Sequence, residues 1–370
     1  MTMTAMTAPT TASTSEASSS KHSLYEGSTQ YRHWRYSPEQ LAQARTTLNA
    51  AAVKAIRDAF ETDELGSSSS VSFLNADEEL LLVKLYVGKI SQLCGHFRFP
   101  EEVEATAVTY LKRFYLKNTV MDWHPKNVML TALFLATKTT NHPIALEAYT
   151  SHIPKTTPSD VLDLEFLVAQ SLGFDFAVWH AHRALWGLYL DIQVRIIYCM
   201  LLNGLKRRQS LPDFSIEELR TAYEAALKHV RASRLSDAEL VYTPSQIALA
   251  CLALASPSLA YSWARSKYSD GHDPPVLMLL EPLKAMILTQ GTPPEVEAVR
   301  EVDRRLKLCK NPQKVVGSKA YLKKQEETVR KAEEKRKRKA AEVKKAMEDG
   351  DPFGCELADG GDLDDDDDDD

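Results

Sequence analysis

Side chains able to do chemistry are sparse in this sequence, and none stands in a catalytic spacing. It has no G-x-x-x-x-G-K-[ST] or G-x-G-x-x-G phosphate loop, no G-x-S-x-G nucleophile, no H-E-x-x-H helix and no C-x-x-C pair. His180 and His182 stand two residues apart, which on a helix turns their rings away from each other, and no cysteine or acid pair completes a zinc set. They read as scattered surface or partly buried histidines. The expectation is a chain with no catalytic residue, no metal site and no cofactor, for which an enzymatic role ranks last.

Two charged residues are placed where they need a partner. Lys138 closes a strongly apolar stretch, and Glu165 falls on a predicted helix inside the sector of Val161, Leu164, Val168 and Leu172, since a four-residue step turns the helix by only about 40°. A carboxylate at an apolar edge costs several kcal/mol if left desolvated and unpaired. Either it meets a cation such as Lys138 or it accepts donors from another protein; alternatively Lys138 complements a helix C-terminus and Glu165 reaches water. A third feature is the unbroken basic run Lys335, Arg336, Lys337, Arg338 and Lys339. It reads as a nuclear import signal, as a merely solvated helix, or as a segment masked by the acidic end of the chain. Ser-Pro or Thr-Pro pairs at Ser37, Thr157, Thr243, Ser256 and Thr292 are possible kinase substrates, although those at Thr157, Thr243 and Thr292 look like helix starts.

The elements that must position these residues come from a duplication. HPKNVMLTALFLATK at 124–138 recurs in degraded form as TPSQIALACLALASP at 243–257, 119 residues later. That offset is too long for a solenoid unit and suits a compact domain used twice. Each copy begins with proline at a first helical position and then runs apolar on nearly every side, as the central helix of a domain must.

Composition agrees. With 370 residues and 44% hydrophobic content, the chain can bury two cores of roughly 100 residues each and still carry tails. No run of eighteen apolar residues occurs, and the start MTMTAMTAPTTASTSEASSS lacks a basic opening and an apolar signal core, so neither a membrane nor a secretory route is expected. Five cysteines, odd in number and far apart, read as reduced thiols of the cytosol or nucleus. The net charge of −6 is confined to one end: residues 319–347 carry +7, residues 348–370 carry −13, and the first 318 residues are neutral, which offers no electrostatic basis for duplex binding.

Helix signals divide the chain into a disordered N-terminus (1–30), an N-terminal helix (31–65) opened by Ser37 and Pro38, and a first five-helix domain (72–178) after a flexible break at Gly66–Ser70. A second such domain (180–291), a C-terminal helix (293–312), a basic solvated helix (318–347) and an acidic disordered tail (348–370) follow. The fold class is all-α: two tandem five-helix domains with extra N- and C-terminal helices.

Specific segments carry a resemblance. YRHWRYSPEQL, EELLLVKLYVGKISQLC, YLKRFYLKNTVMDWHPKNVMLTALFLATK, LEFLVAQSLGFDF and YTPSQIALA resemble, in order and at similar intervals over about residues 31–310, the cyclins and among them the cyclin H group with its fungal counterparts. The resemblance implies paired cyclin boxes and a regulatory subunit that binds and activates a cyclin-dependent kinase. It assigns Lys138 and Glu165 to contacts near the kinase's mobile C-helix, and makes Tyr31–Phe60 and Pro294–Cys309 candidate interfaces. It further implies a cyclin-dependent kinase catalytic subunit, a RING-finger assembly subunit and the transcription factor IIH core as partners. The substrates would be other kinases' activation loops and the RNA polymerase II C-terminal repeats, and the location the nucleus, with no direct nucleic acid and no membrane partner. Two departures stand out: Thr139, Thr140 and Asn141 follow the lysine where many cyclins carry acids, and the substrate-docking MRAIL patch of mitotic cyclins has no counterpart. A Mediator-type transcriptional cyclin and a nucleic-acid-binding factor like transcription factor IIB are the alternatives.

Overall fold

The computed structural model describes residues 23–63, 66–201, 214–267, 274–315 and 317–348, and among these every regular element is a helix. Helices α1 (Thr29–His33) and α2 (Pro38–Asp63) come first. They are followed by α3 (Ala76–Phe97), α4 (Glu101–Phe114), α5 (Pro125–Thr139), α6 (Leu146–Ser151), α7 (Pro158–Leu162) and α8 (Glu165–Ser171). The second series is α9 (Ala181–Leu201), α10 (Ile216–Ser233), α11 (Ala238–Val241), α12 (Pro244–Ala255), α13 (Pro257–Ser266) and α14 (Val276–Gln290), and α15 (Val296–Leu306) and α16 (Lys319–Glu348) end the chain's helices.

Several expectations change. The single fifth helix after Pro158 is two pieces, α7 and α8, broken at Leu164, whose φ of −99° and ψ of −8° leave the regular helix. Val161, Val168 and Leu172 are all fully buried, so the apolar period runs on through the break and conceals it. The short α11 is too brief to show any period. Gly66–Ser70 is not a flexible break: Ser67–Ser70 form a 3-10 turn, and the Glu61 carboxylate accepts from the backbone N–H of Gly66 (2.6 Å) and Ser68 (3.1 Å). Order also begins before Tyr31. Ser28 caps α1, and Gln30 exchanges two hydrogen bonds with the backbone of Trp179, 149 residues away, a contact that local composition cannot reveal. Residues 1–22 and the acidic tail beyond Glu348 lie outside the described residues.

Two compact units are present, and their limits cut across the repeat. One takes residues 1–43, 83–117 and 126–294; the other takes 44–82, 118–125 and 295–370. In the first unit the two echoing helices are the centres expected of them. Val128, Leu130, Ala132, Leu133 and Ala136 of α5 are at most 1% exposed, and Ile247 to Ala253 of α12 are buried among residues of α9, α10, α13 and α14. Truncating such a leucine to alanine costs about 2–5 kcal/mol through lost transfer energy and the cavity left behind. Thr243 and Gln246 close a capping box around Pro244, which explains where α12 starts.

Polar contacts between the repeats are concentrated on α4. Glu101 accepts from Arg231 and Arg234 (both 2.7 Å), Glu104 accepts from Arg234 (2.9 Å), and Lys112 lies 2.9 Å from Glu239 while donating to the Ser236 carbonyl. Burial alone would raise the Glu101 carboxyl, but the Arg231 hydrogen bond and the Arg234 charge outweigh it and hold it below the usual range. Arg234 is 7% exposed, so losing both glutamates would strand a buried cation.

The second unit contains a half-buried carboxylate that ties three segments together. Glu79 accepts from Asn49 Nδ2 (2.6 Å), Thr119 Oγ1 (2.7 Å) and the Val120 N–H (2.8 Å), joining α2, α3 and the 118–120 segment; burial pushes its carboxyl up. Helix α15 adds Val299, Val302 and Leu306 to this core, and Arg305 pairs with Glu78. Helix α16 is the solvated basic helix that its composition predicts: past Tyr321, Leu322 and Val329 are about half exposed, and the i,i+4 pairs Glu327–Lys331 and Arg338–Glu342 support it.

Candidate functional site

Lys138 sits in the last turn of α5. The helix stops because Asn141 adopts the left-handed conformation (φ +60°), which lets the His142 N–H reach back to the Thr137 carbonyl (2.8 Å). Asparagine tolerates that conformation better than most residues, and this is the usual glycine-type C-cap made with Asn. Thr140 Oγ1 donates to the Ala136 carbonyl (2.7 Å) and Thr139 Oγ1 lies 3.0 Å from the Tyr110 hydroxyl. Thr139, Thr140 and Asn141 therefore terminate and anchor the helix instead of bracing the lysine.

Glu165 is the first residue of α8, directly after the break at Leu164. Its carboxylate lies 2.5 Å from Lys138 Nζ, and the ammonium also stands 4.5 Å from the centre of the Phe134 ring. Of the two sequence readings, the direct ion pair is the one the structure builds. Lys138 keeps 42% of its side chain exposed and Glu165 keeps 23%, so the pair is presented at the surface and adds only about 0–1 kcal/mol to stability. Both groups retain lone pairs or protons for an incoming partner.

Sequence reasoning missed the apolar face beside this pair. Phe166, next to Glu165, is 69% exposed, Phe174 is 55% exposed and Leu162 is 47% exposed. Phe166 packs edge-on against Phe174, and Phe174 against Phe176, each with ring centres 6.2 Å apart. Gly173 and Phe174 are successive left-handed residues (φ +60° and +59°), and the Tyr110 hydroxyl fixes the turn by donating to the Phe176 carbonyl (2.7 Å). Phe174 is thus held exposed in a backbone conformation that costs a non-glycine residue about 1–3 kcal/mol. The signal was available: in LEFLVAQSLGFDF, Phe166 falls outside the buried sector of its helix.

The remaining candidates are placed as follows. His180 precedes α9 instead of lying within it, so the rings of His180 and His182 stack at 5.1 Å and do not diverge. Burial, followed by neighbouring positive charge, holds His180 well below the usual range and His182 at about 4; Thr106 Oγ1 lies 3.0 Å from His180 Nε2. The described residues contain no His/Cys/Asp/Glu group able to hold a metal. Cys94, Cys251 and Cys309 are buried free thiols raised by burial, Cys94 to about 12. Thr157 and Thr243 occupy capping boxes, and Ser37 accepts from the Gln40 N–H as a cap; Thr292 is exposed and starts no helix, since α15 begins at Val296 behind its cap Glu295. Lys335 to Lys339 are exposed on α16. No helix among the described residues is long and apolar enough to cross a membrane.

Residues 68–177 match the family described as "Cyclin, N-terminal domain", and residues 180–347 match "Cyclin C-terminal domain". "Cyclin mcs2" of Schizosaccharomyces pombe is 30% identical over 309 residues, 82% of this chain and 90% of that protein. Among solved structures, a chain of the CAK complex from Chaetomium thermophilum bound to ATP-gamma-S aligns with TM-score 0.68 and 27% identity, covering 91% of this chain and 98% of its own. A chain of the yeast TFIIK (Kin28/Ccl1/Tfb3) complex aligns with TM-score 0.57 and 30% identity over 71% of this chain and all of its own. With both halves matched and a relative covered over nine-tenths of its length, the chain belongs to the cyclin family.

Proposed function

We propose that the surface formed by Lys138, Glu165 and the neighbouring Phe166 and Phe174 is where this cyclin grips the mobile C-helix of its cyclin-dependent kinase. The chain is a regulatory subunit of a protein kinase and not itself a catalyst. It works as the CDK-activating cyclin of transcription factor IIH, acting on other kinases' activation loops and on the RNA polymerase II C-terminal repeats. Activation needs no chemistry from the cyclin. A helix pinned inward lets the kinase's own Lys–Glu pair form and completes its phosphate site. The cyclin supplies binding energy to that one state, and the kinase population moves toward it.

The observation that carries this reading is the surface pairing of Lys138 with Glu165 beside exposed aromatics. An aromatic centre with a charged rim is how protein interfaces concentrate their binding energy. The likeness to chains of the CAK and TFIIK complexes supports a kinase catalytic subunit and a RING-finger assembly subunit as partners. For Lys335 to Lys339 the reading is nuclear import, supported by five successive exposed bases on α16. The nucleus is the corresponding site of action.

Affinity purification of the full chain followed by identification of the bound kinase tests the assignment. Recovery of a CDK-activating kinase with a third subunit is expected. Recovery of a Mediator-type kinase instead would overturn the assignment while leaving the cyclin fold untouched.

A further inference from the structure

The proposed kinase surface has two arms: the end of α5, which carries Lys138, and the 173–176 turn, which carries Phe174. One buried hydroxyl lies between them. Tyr110 of α4 is fully buried, and its Oη stands 2.7 Å from the Phe176 carbonyl and 3.0 Å from Oγ1 of Thr139, the residue after Lys138. A carbonyl can only accept and a phenol has a single proton, so Tyr110 donates to Phe176 and accepts from Thr139. Burial pushes the phenol up to about 12, which keeps that proton in place at neutral pH. The Tyr110 ring also meets Phe176 edge-on at 6.1 Å, and Phe176 in turn meets Phe174 at 6.2 Å. Arg113, three residues further along α4, donates to the neighbouring Asp175 carbonyl (3.2 Å).

We infer that Tyr110 is a positioning residue of this surface, its hydroxyl fixing the spacing between Lys138 and Phe174 so that one kinase helix meets both. The inference rests on the kinase-binding reading and extends it to a buried residue that touches no partner. Each arm has its own internal bonds: the His142 N–H donates to the Thr137 carbonyl (2.8 Å), and the N–H groups of Phe174 and Asp175 donate to the carbonyls of Ala169 (3.0 Å) and Leu172 (3.1 Å). Those bonds shape the arms separately, whereas the Tyr110 hydroxyl relates one to the other. The Lys138–Glu165 pair also joins α5 to α8, but it is open to water and screened, while Tyr110 is shielded from solvent. Arms already held at the right spacing need no ordering when the partner arrives, and the binding energy that ordering would consume is kept.

Tyr110→Phe keeps the ring and removes the hydroxyl, and Ile247→Val, which trims the core of α12, serves as a control of similar stability loss. Amide hydrogen exchange of the full chain without kinase gives the first readout. In Tyr110→Phe the amides of His142, Phe174 and Asp175 are expected to exchange about fivefold faster together, with those of α12 unchanged. Kinase activation gives the second. Tyr110→Phe should need about five times more protein for half-maximal activation while reaching the same maximum, and less than about twofold more when added to Phe174→Ala, where one arm has already lost its contact. The inference is overturned if exchange in the two arms is unchanged, if Ile247→Val reproduces both effects, or if the fivefold loss persists beside Phe174→Ala. Should Phe174→Ala and Lys138→Ala themselves leave activation unaltered, the kinase-binding reading fails and this inference falls with it.

Discussion

Trp34 donates its indole N–H to Asp175 Oδ2 across 3.0 Å, tying a residue ahead of the first repeat to the turn that closes it. His33 Nδ1 lies 2.7 Å from the same carboxylate oxygen, and the buried Arg113 guanidinium stands over the Trp34 ring (4.9 Å) while donating to the Asp175 carbonyl (3.2 Å). Asp175 stands between Phe174 and Phe176, so this contact sets the turn that presents Phe174. Trp34, at 2% exposure, should cost about 3–5 kcal/mol when replaced by alanine and nearer 1 kcal/mol when replaced by phenylalanine, which keeps most of the volume and loses the hydrogen bond. Denaturant midpoints measure the difference, and equal losses in the two variants would show that the hydrogen bond, not the packing, holds the segment.

The aromatic face should separate binding from folding. Phe166→Ala and Phe174→Ala are each expected to weaken kinase binding by roughly tenfold, about 1.4 kcal/mol, with an unchanged thermal midpoint, because both rings are mostly exposed. Phe174→Gly sharpens the test. Its positive φ favours glycine, so stability should hold or rise by up to about 1 kcal/mol while binding falls. Calorimetric titration against the kinase, beside thermal melts, reads both.

Acid should loosen the junction around α4 and α9. His180 and His182 are depressed by burial, so the unfolded chain binds protons that the folded chain refuses; stability is fully present above about pH 6.5 and drains away as pH falls toward about 4, where His182 titrates. Glu101, also depressed, adds a loss as pH falls through its own lowered value. Thermal midpoints are expected to drop between pH 7 and 4.5, and His182→Gln should flatten the upper part of that slope. A midpoint that stays level across the range would contradict the buried neutral pair.

The helical architecture was legible because two of its segments are apolar almost all round, and such segments admit only a central position in a bundle. The limits of α5 and α12 follow from proline, cap and glycine-type signals in the chain itself. What stayed hidden depends on distant partners. The α7–α8 break is masked by an unbroken apolar period, the order at Ser28–Gln30 depends on Trp179, and the stacking of His180 on His182 depends on His180 standing just ahead of a helix that starts at Ala181. The site was half visible: spacing pointed to Lys138 and Glu165 as needing partners, but the sector argument placed Glu165 in the middle of a helix, whereas it opens one.

Removing residues 319–370 should spare the kinase surface, all of whose named residues precede that segment, while nuclear accumulation of a fluorescent fusion falls several-fold. Replacing only Lys335 to Lys339 by glutamine should reproduce the import defect. Undiminished accumulation in both variants would leave α16 as a solvated helix with no part in transport.

The most direct measurement is activation of the purified kinase by Lys138→Ala, by Glu165→Ala and by the exchanged pair Lys138→Glu/Glu165→Lys. Circular dichroism should show the helical fold intact in all three, since a surface pair of this kind contributes at most about 1 kcal/mol. Each variant should need at least about ten times more protein to reach half-maximal activation, and the exchanged pair should fare no better than the alanines because its charges face the partner reversed. Normal activation by the single alanine variants, or full recovery in the exchanged pair, would reduce Lys138 and Glu165 to an internal brace and contradict their assignment to the kinase interface.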